Sequence, residues 1–284
     1  MHTQRPPEIQ GCFWGIQMNK LIRSLKHFLK AILFRLIWVW RTLTGYSVEC
    51  NVCGYRANQL RSVNWQKYST CPRCYSHFRQ RLLIASLTHI KEFSFEQLIY
   101  GKKVLHFAPE EYLDQLIQDK ATTYHTADFL AEGYTYRKID FQLDISNMPS
   151  IADNSYDCVI AFDVLEHVPD HLRGIREVFR VLKNGGTGIF SVPQKDNLVK
   201  TYEDLSITDP AEREKQFGQY DHLRIYGSDF KEMLEAAGFN VSIVDEKNFS
   251  KDLVKKHVLF PPVISENPLA TNHRKVYFAR KGGF

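Results

Sequence analysis

A parallel α/β sheet preceded by a small cysteine module and a basic N-terminal helix is the architecture this sequence predicts. Three stretches predict it. Residues 103–128 run strand, tight turn, helix, strand; Cys50, Cys53, Cys71 and Cys74 form two C-x2-C pairs; and residues 20–43 alternate apolar and basic positions at helical spacing. A chain of 284 residues has room for one large domain and a small one.

Residues 1–19 read as a flexible leader. From 20 to 45 the chain reads as a basic amphipathic helix, with Arg23, Lys26, His27 and Lys30 on one face and Ile22, Leu25, Phe28, Leu29 and Ile32 opposite. Trp38 and Trp40 follow, beside Arg35 and Arg41. Arg35 breaks the run Ala31–Trp40, which falls short of the about 20 apolar residues that span a bilayer. No small-residue cleavage site follows, which argues against a secretory signal. Two readings stand: the helix lies on an anionic membrane surface through residues 20–43, or it packs on protein. The first implies a cytoplasmic protein, peripheral on the inner membrane face.

The net charge of +5 is uneven. Residues 1–50 carry seven Lys/Arg against two Asp/Glu, residues 51–82 six against none, and residues 83–284 twenty-four against thirty. The large domain is therefore acidic and not an evident polyanion binder.

Cys50-Asn-Val-Cys53 and Cys71-Pro-Arg-Cys74 have the spacing of a zinc ribbon over residues 46–76, each turn supplying two thiolates to a tetrahedral ion. Four thiolates leave no position for water, so the Zn²⁺ is structural. Two disulfides are the alternative. Cys12 and Cys158 lie outside the set. Arg56, Arg61, Lys67, Arg73, Arg79 and Arg81, with Tyr55, Trp65 and Tyr68, surround the ribbon. Such a surface suits single-stranded nucleic acid or phospholipid, and equally an ordinary solvated face. Ser62–Tyr68 reads as a strand, and His77–Ile90 as a helix within a linker, 77–98, leading to the domain at 99–284.

In that domain Val104–Phe107 is a strand ended by Ala108-Pro109. Glu110–Lys120 is a helix by the spacing of Tyr112, Leu113, Leu116 and Ile117, and Thr122–Ala127 is a second strand closing on Asp128. An acid about 20 residues past the first turn is placed to accept from ribose hydroxyls. The glycines that let backbone amides close on phosphates are missing. S-adenosylmethionine is an adenosine cofactor without phosphate: Ala108 is small enough for close approach, and Glu110 suits its ammonium. A βαβ unit without ligand is the other reading.

Further strands are expected at Tyr136–Leu143, Tyr156–Phe162, Thr187–Val192, Asn240–Val244 and Lys275–Arg280. Asp144, at a strand end, suits the exocyclic amine of adenine, with Ile145 over the ring. His171–Leu182 is a helix stopping at Asn184-Gly185-Gly186, and Asp229–Ala237 a helix capped by Ser228 and stopped by Gly238.

The run Asp157-Cys-Val-Ile-Ala-Phe-Asp-Val-Leu-Glu-His167, followed by Glu177-Val-Phe-Arg-Val-Leu-Lys183-Asn-Gly-Gly186, resembles class I S-adenosylmethionine-dependent methyltransferases of the small-molecule type over about residues 100–245. The loop at 106–110 (HFAPE), the paired C-x2-C motifs and QYDHLRIYG at 219–227 are similar to a bacterial group with an N-terminal four-cysteine zinc ribbon. There the loop stands where the glycine-rich motif normally lies. The resemblance implies a Rossmann-like, seven-stranded methyltransferase sheet with its last strand antiparallel. It implies a cofactor set of His106, Phe107, Ala108, Pro109, Glu110, Asp128, Asp144, Ile145, Phe162 and Leu165.

Methyl transfer needs nucleophile and methyl in line, water excluded, and a proton acceptor when the methylated atom is a hydroxyl. His167, His222 and Asp221 are the catalytic candidates. The insertion 194–227 lies over the strand ends as a substrate lid, where Tyr202, Glu203, Asp204, Arg224 and Tyr226 suit a glycan, glycolipid or other small hydroxylated acceptor. The rivals are an RNA methyltransferase gripping substrate with the ribbon, and a non-catalytic scaffold. Net acidity and the lack of a flipped-base motif weigh against nucleic acid.

Overall fold

The computed structural model describes residues 46–129 and 139–282, together with Leu29, Ile32, Leu33 and Leu36. The chain divides into two compact units, Met1–Ser47 and Val48–Phe284. In the first, positions 29, 32, 33 and 36 are helical and exposed. Leu29 and Ile32 belong to the expected apolar face. The leader 1–19 and the other positions expected in the 20–45 helix lie outside the described residues.

The second unit opens with two small antiparallel pairs. β1 (Val48–Glu49) pairs with β2 (Arg56–Ala57), and β3 (Arg61–Val63) with β4 (Gln66–Thr70). The stretch 62–68, expected as one strand, is thus a hairpin. Asn64 takes a left-handed φ of +50° and reverses the chain, a conformation Asn tolerates better than most residues.

α1 (Phe78–His89) leads on through a short helix, α2 (Phe95–Leu98), to the main sheet. Its elements in chain order are β5 (Lys103–Phe107), α3 (Glu111–Gln118), β6 (Thr123–Asp128), β7 (Phe141–Gln142), β8 (Tyr156–Phe162), α4 (His171–Val181) and β9 (Leu182–Ser191). The insertion follows, with β10 (Tyr202–Glu203), α5 (Pro210–Phe217) and β11 (Arg224–Ile225); then come α6 (Phe230–Ala236), β12 (Phe239–Val244), α7 (Lys251–His257) and β13 (Val276–Lys281). The strand order is β12-β13-β9-β8-β5-β6-β7. Only the last strand, β13, runs antiparallel to its neighbours β9 and β12. This is the expected Rossmann-like, seven-stranded sheet. Of the strand expected at 136–143, Phe141–Gln142 forms β7; Tyr136 and its neighbours to 138 lie outside the described residues.

Helices cover both faces, so central strands are apolar on both sides. Val104, Cys158, Ile160 and Ile189 pack in a core with Leu83 and Leu87 of α1 and Ile117 of α3. Leu105, Val159 and Phe190 pack in a second with Ile175 and Val178 of α4 and Phe230 of α6. The Asp170 carboxylate caps α4 by accepting from the Arg173 N–H at 2.9 Å.

α4 ends at Val181, before the expected stop. Buried Leu182 turns extended to pair with Tyr156, and Asn184-Gly185-Gly186 falls in an irregular part of β9 that Gly185 absorbs at φ +80°. α6 begins after Asp229, not Ser228. The Asp229 carboxylate accepts from Thr201 N–H and Oγ1, and the Ser228 hydroxyl donates to the Val199 carbonyl.

Candidate active site

After β5 the chain builds outward through β6 and β7 on one side, and β8 then returns on the other. The gap beyond the carboxyl ends of β5 and β8 is a topological switch point, where open α/β sheets form clefts. A cleft of about 1070 Å³ lies there. Its floor starts with two non-glycine residues in the left-handed region: Ala108 (φ +47°) after β5 and Asp163 (φ +51°) after β8. Backbone bonds hold both, Ala108 N–H to the Ala127 carbonyl (2.9 Å) and Asp163 N–H to the Ser191 carbonyl (2.8 Å). Such strain persists where surrounding structure enforces it, and it clusters at binding sites.

Phe107, Ala108, Pro109 and Glu110 line this cleft, as do Asp128, Asp144, Ile145 and Phe162. Asp128 ends β6 and Asp144 follows the neighbouring β7, so two carboxylates from adjacent strand ends meet one space. Asp144 Oδ1 accepts from Ser146 N–H and Oγ, both at 2.7 Å. A carboxylate pair, an apolar slot and a close-approaching loop suit a phosphate-free adenosine cofactor.

Two residues of the expected cofactor set lie elsewhere. His106 alternates with Phe107 along β5 and is buried away from the cleft, its Nδ1 2.8 Å from the Tyr124 hydroxyl; burial lowers its pKa to about 3. Leu165 packs into the core beneath the lip, against Gly174, where an added Cβ would stand 3.2 Å from it.

The cleft floor is an ionic lattice that no local sequence pattern announces. Arg79 of α1 lies 3.0 Å from Glu110 and 3.0 Å from Asp163, and Arg274 donates to Asp163 at 3.0 Å. Gln80 also donates to Glu110. Burial works against the Asp163 charge, but Arg274 and Arg79 hold its carboxyl below the usual range. Glu110 goes the other way, with burial raising its pKa against the pull of Arg79. One Glu110 oxygen is thus committed, while Oε2 has no hydrogen-bond partner among the described residues.

His167 and His222 line the cleft with ring centres 4.9 Å apart. His167 Nδ1 lies 3.4 Å from Asp221 Oδ2, and His222 Nδ1 3.3 Å from the Phe217 carbonyl. Burial, then the neighbouring His167, lowers the His222 pKa to about 4. The three catalytic candidates therefore share one wall. Beside them sits Glu166, fully buried, whose carboxyl burial and Asp163 push well above the ordinary range.

The five residues expected to contact substrate build the lid instead, and none lines the cleft. Arg224, fully buried, donates to the carbonyls of Leu165 (2.7 Å), Val168 (2.6 Å) and Pro169 (3.0 Å) and pairs with Glu203. Tyr226 is buried with its hydroxyl 3.0 Å from His171 Nδ1. Tyr202 packs against Phe217 with the rings tilted by 40°, and Asp204 caps its own turn through Ser206 N–H at 2.9 Å. The cleft surface of the insertion includes Arg213, Phe217 and Gln219 beside Asp221 and His222, joined by Thr271 of the connection before β13. The β3–β4 hairpin adds Asn64 and Trp65 to the wall.

In the cysteine module, Cys50 and Cys74 sulfurs lie 3.7 Å apart and those of Cys53 and Cys71 3.6 Å apart. A tetrahedral ion with Zn–S bonds of about 2.3 Å has edges of about 3.8 Å, so the four free thiols fit one ion. The two turns repeat one another. Gly54 N–H donates to Cys50 O (2.8 Å) and Tyr75 N–H to Cys71 O (2.9 Å), with φ of +71° and +56° at Gly54 and Tyr75. Cys158 is buried in β8, and Cys12 lies outside the described residues. The basic surface around the module is smaller than its sequence suggests. Arg81 is buried, donating to the carbonyls of Ser69, Ser76, His257 and Val258, and Arg79 belongs to the cleft.

Comparison with known proteins bears on the same region. Residues 96–190 match the family model described as "Methyltransferase domain". A Mycolicibacterium smegmatis protein, described as "probable S-adenosylmethionine-dependent methyltransferase", is 29% identical over 107 residues, 37% of each chain. An uncharacterized Methanocaldococcus jannaschii protein is 46% identical over 48 residues, 17% of this chain and 21% of that one. The matches thus span well under half the length of these relatives. Among solved structures, Burkholderia thailandensis 1,6-didemethyltoxoflavin-N1-methyltransferase, with 1,6-didemethyltoxoflavin and S-adenosylhomocysteine bound, is similar at TM-score 0.47 and 16% identity, covering 72% of this chain and 79% of that one. An S-adenosylmethionine-dependent methyltransferase from Mesorhizobium loti is similar at TM-score 0.44 and 14% identity, covering 68% and 100%.

Proposed function

We propose that this chain, which carries a class I methyltransferase domain, transfers a methyl group from S-adenosylmethionine to an oxygen of a glycan, glycolipid or other small hydroxylated acceptor. The observation that carries the reading is that Asp128 and Asp144, from adjacent strand ends, share a cleft with the Ala108 loop and the His167–His222 wall. The cofactor supplies a methyl group already activated by its sulfonium. Asp128 holds the ribose, Asp144 the adenine amine and Ile145 the ring, while Glu110, which lines the cleft, meets the ammonium. His167 and His222 face the acceptor hydroxyl and receive its proton as the oxygen–carbon bond forms and the sulfur–carbon bond breaks. Asp221 orients His167.

The cysteine module holds a structural Zn²⁺ in this reading. Its hairpin, through Trp65, forms part of the acceptor wall and suits stacking on a sugar face. Peripheral docking on anionic membrane through residues 20–43 is supported by the exposed apolar positions 29, 32, 33 and 36. Among the described residues no helix is long and apolar enough to cross a membrane.

The test is transfer of labelled methyl from the cofactor to a panel of glycolipid, soluble glycan and RNA fractions. Label in hydroxylated lipid or glycan supports the reading; label in RNA alone overturns the acceptor class.

A further inference from the structure

We infer that Glu166, His167 and His222 form a second metal site, distinct from the four cysteines, that takes a divalent first-row transition ion in the cleft wall. Among the described residues these three offer ligand atoms within 4.8 Å of one another, and all line the cleft. Two imidazoles and a carboxylate on one side of an ion leave its remaining positions open, here toward the cleft.

Four observations converge on the ion. First, Glu166 is 1% exposed and its Oε2 has no hydrogen-bond partner among the described residues. A buried carboxylate is rarely left so, and a cation is what its second oxygen lacks. Second, both histidines have the outer hydrogen-bonding arrangement of metal-bound imidazoles. His167 turns Nδ1 to the Asp221 carboxylate at 3.4 Å and Nε2 toward Glu166 Oε1 at 4.0 Å. His222 turns Nδ1 to the Phe217 carbonyl at 3.3 Å, which leaves Nε2 for an ion. Third, the cleft is short of positive charge. Six carboxyl groups, of Glu110, Asp128, Asp144, Asp163, Glu166 and Asp221, line it against the three guanidinium groups of Arg79, Arg213 and Arg274. Fourth, the three ligand atoms lie within 4.8 Å of one another, about 1.5 Å wider than the edges of about 3.0–3.4 Å that ligand distances of about 2.1 Å require.

The ion's role rests on the proposed function, although its binding does not. An open position beside the methyl donor would hold the acceptor oxygen and favour its alkoxide, as bound ions do for water. In that arrangement the imidazoles act as ligands in place of the proton-accepting role given to them above, and the acceptor's proton passes to the Asp221 carboxylate beside them.

The test is titration of the zinc-loaded protein with Co²⁺, read by visible absorption and metal analysis, with no cofactor or acceptor present. We expect one Co²⁺ per chain beyond the zinc, with weak d–d bands and without the intense thiolate charge-transfer band of a cysteine site. Glu166→Gln and His167→Asn should each weaken it by about 10–100-fold. His167 has a side chain 32% exposed, so its variant keeps the test decisive should the Glu166 variant fail to fold. No Co²⁺ beyond the cysteine site, or a folded His167→Asn protein that binds like the parent, overturns the inference. Methyl transfer in the absence of any second ion would remove the ion's catalytic role while leaving the zinc site and the methyltransferase reading standing.

Discussion

Arg79 Nε lies 3.0 Å from Asp163 Oδ2, joining the helix after the cysteine module to the loop after β8. It acts as a charge pair more than an aligned hydrogen bond, since that N–H finds no partner of good geometry. The same guanidinium reaches Glu110 in the loop after β5. One side chain therefore spans the two loops that flank the switch point, and ties the cysteine module to the site.

Arg79→Met keeps the volume and removes the charge. The side chains of Arg79 and Asp163 are 19% and 18% exposed, so the pair is only partly desolvated and Arg274 remains beside Asp163. The expected cost is about 1–3 kcal/mol in denaturant unfolding, below that of breaking a fully buried pair. Arg79→Lys should recover part of it. An unchanged unfolding midpoint would show that the lattice does not depend on Arg79.

Ala108 carries the left-handed turn that glycine would otherwise provide, at φ +47°. Ala108→Val puts a β-branched side chain there and should cost about 1–2 kcal/mol, whereas Ala108→Gly should be neutral or stabilising by up to about 1 kcal/mol. Thermal unfolding of the two variants checks the order; a valine variant as stable as the glycine one would remove the strain.

Asp157 gives a pH dependence away from the cleft. It accepts from the Lys103 N–H and from Lys183 Nζ, both at 2.9 Å, and these hold its carboxyl below the usual range against the effect of burial. A carboxyl depressed on folding contributes stability that is present above its unfolded pKa, about 3.9, and lost as pH falls through the lower folded value. Asp157→Asn should therefore lower stability at pH 7 and flatten the acid limb below about pH 4, measured by urea unfolding across pH. An acid limb unchanged by the substitution would exclude this group.

Cys71→Ser should release the zinc proposed for the four cysteines and loosen residues 48–76, because metal and fold are coupled in such modules. Hydrogen exchange should rise there while β5 and β8 stay protected. The hairpin carrying Trp65 lines the cleft, so acceptor affinity should fall as well. A parent protein free of zinc by metal analysis would reject the site.

The sheet was legible because its signals are local. Cys158–Phe162 is an unbroken apolar run, α4 has one buried stripe, and Asp128 and Asp144 sit where chain direction delivers strand-end acids. The cysteine spacing was legible for the same reason. Contacts across the chain were not. Arg79 and Arg274 reach Asp163 from opposite ends of the domain, and nothing near either residue marks it. The polar run of the lid misled: Arg224 and Tyr226 read as substrate contacts, yet both are buried to hold the lid on the lip. Polarity in a lid sequence does not tell whether a side chain serves a ligand or the backbone beneath it.

The grip proposed for Asp128 and Asp144 on one adenosine is tested most directly by calorimetric titration of S-adenosylmethionine into the parent protein and into Asp128→Asn. Removing a charge-assisted contact should weaken binding by about 1–3 kcal/mol, with the fold unchanged by circular dichroism. No binding heat at millimolar cofactor, or equal affinity in parent and variant, would contradict it.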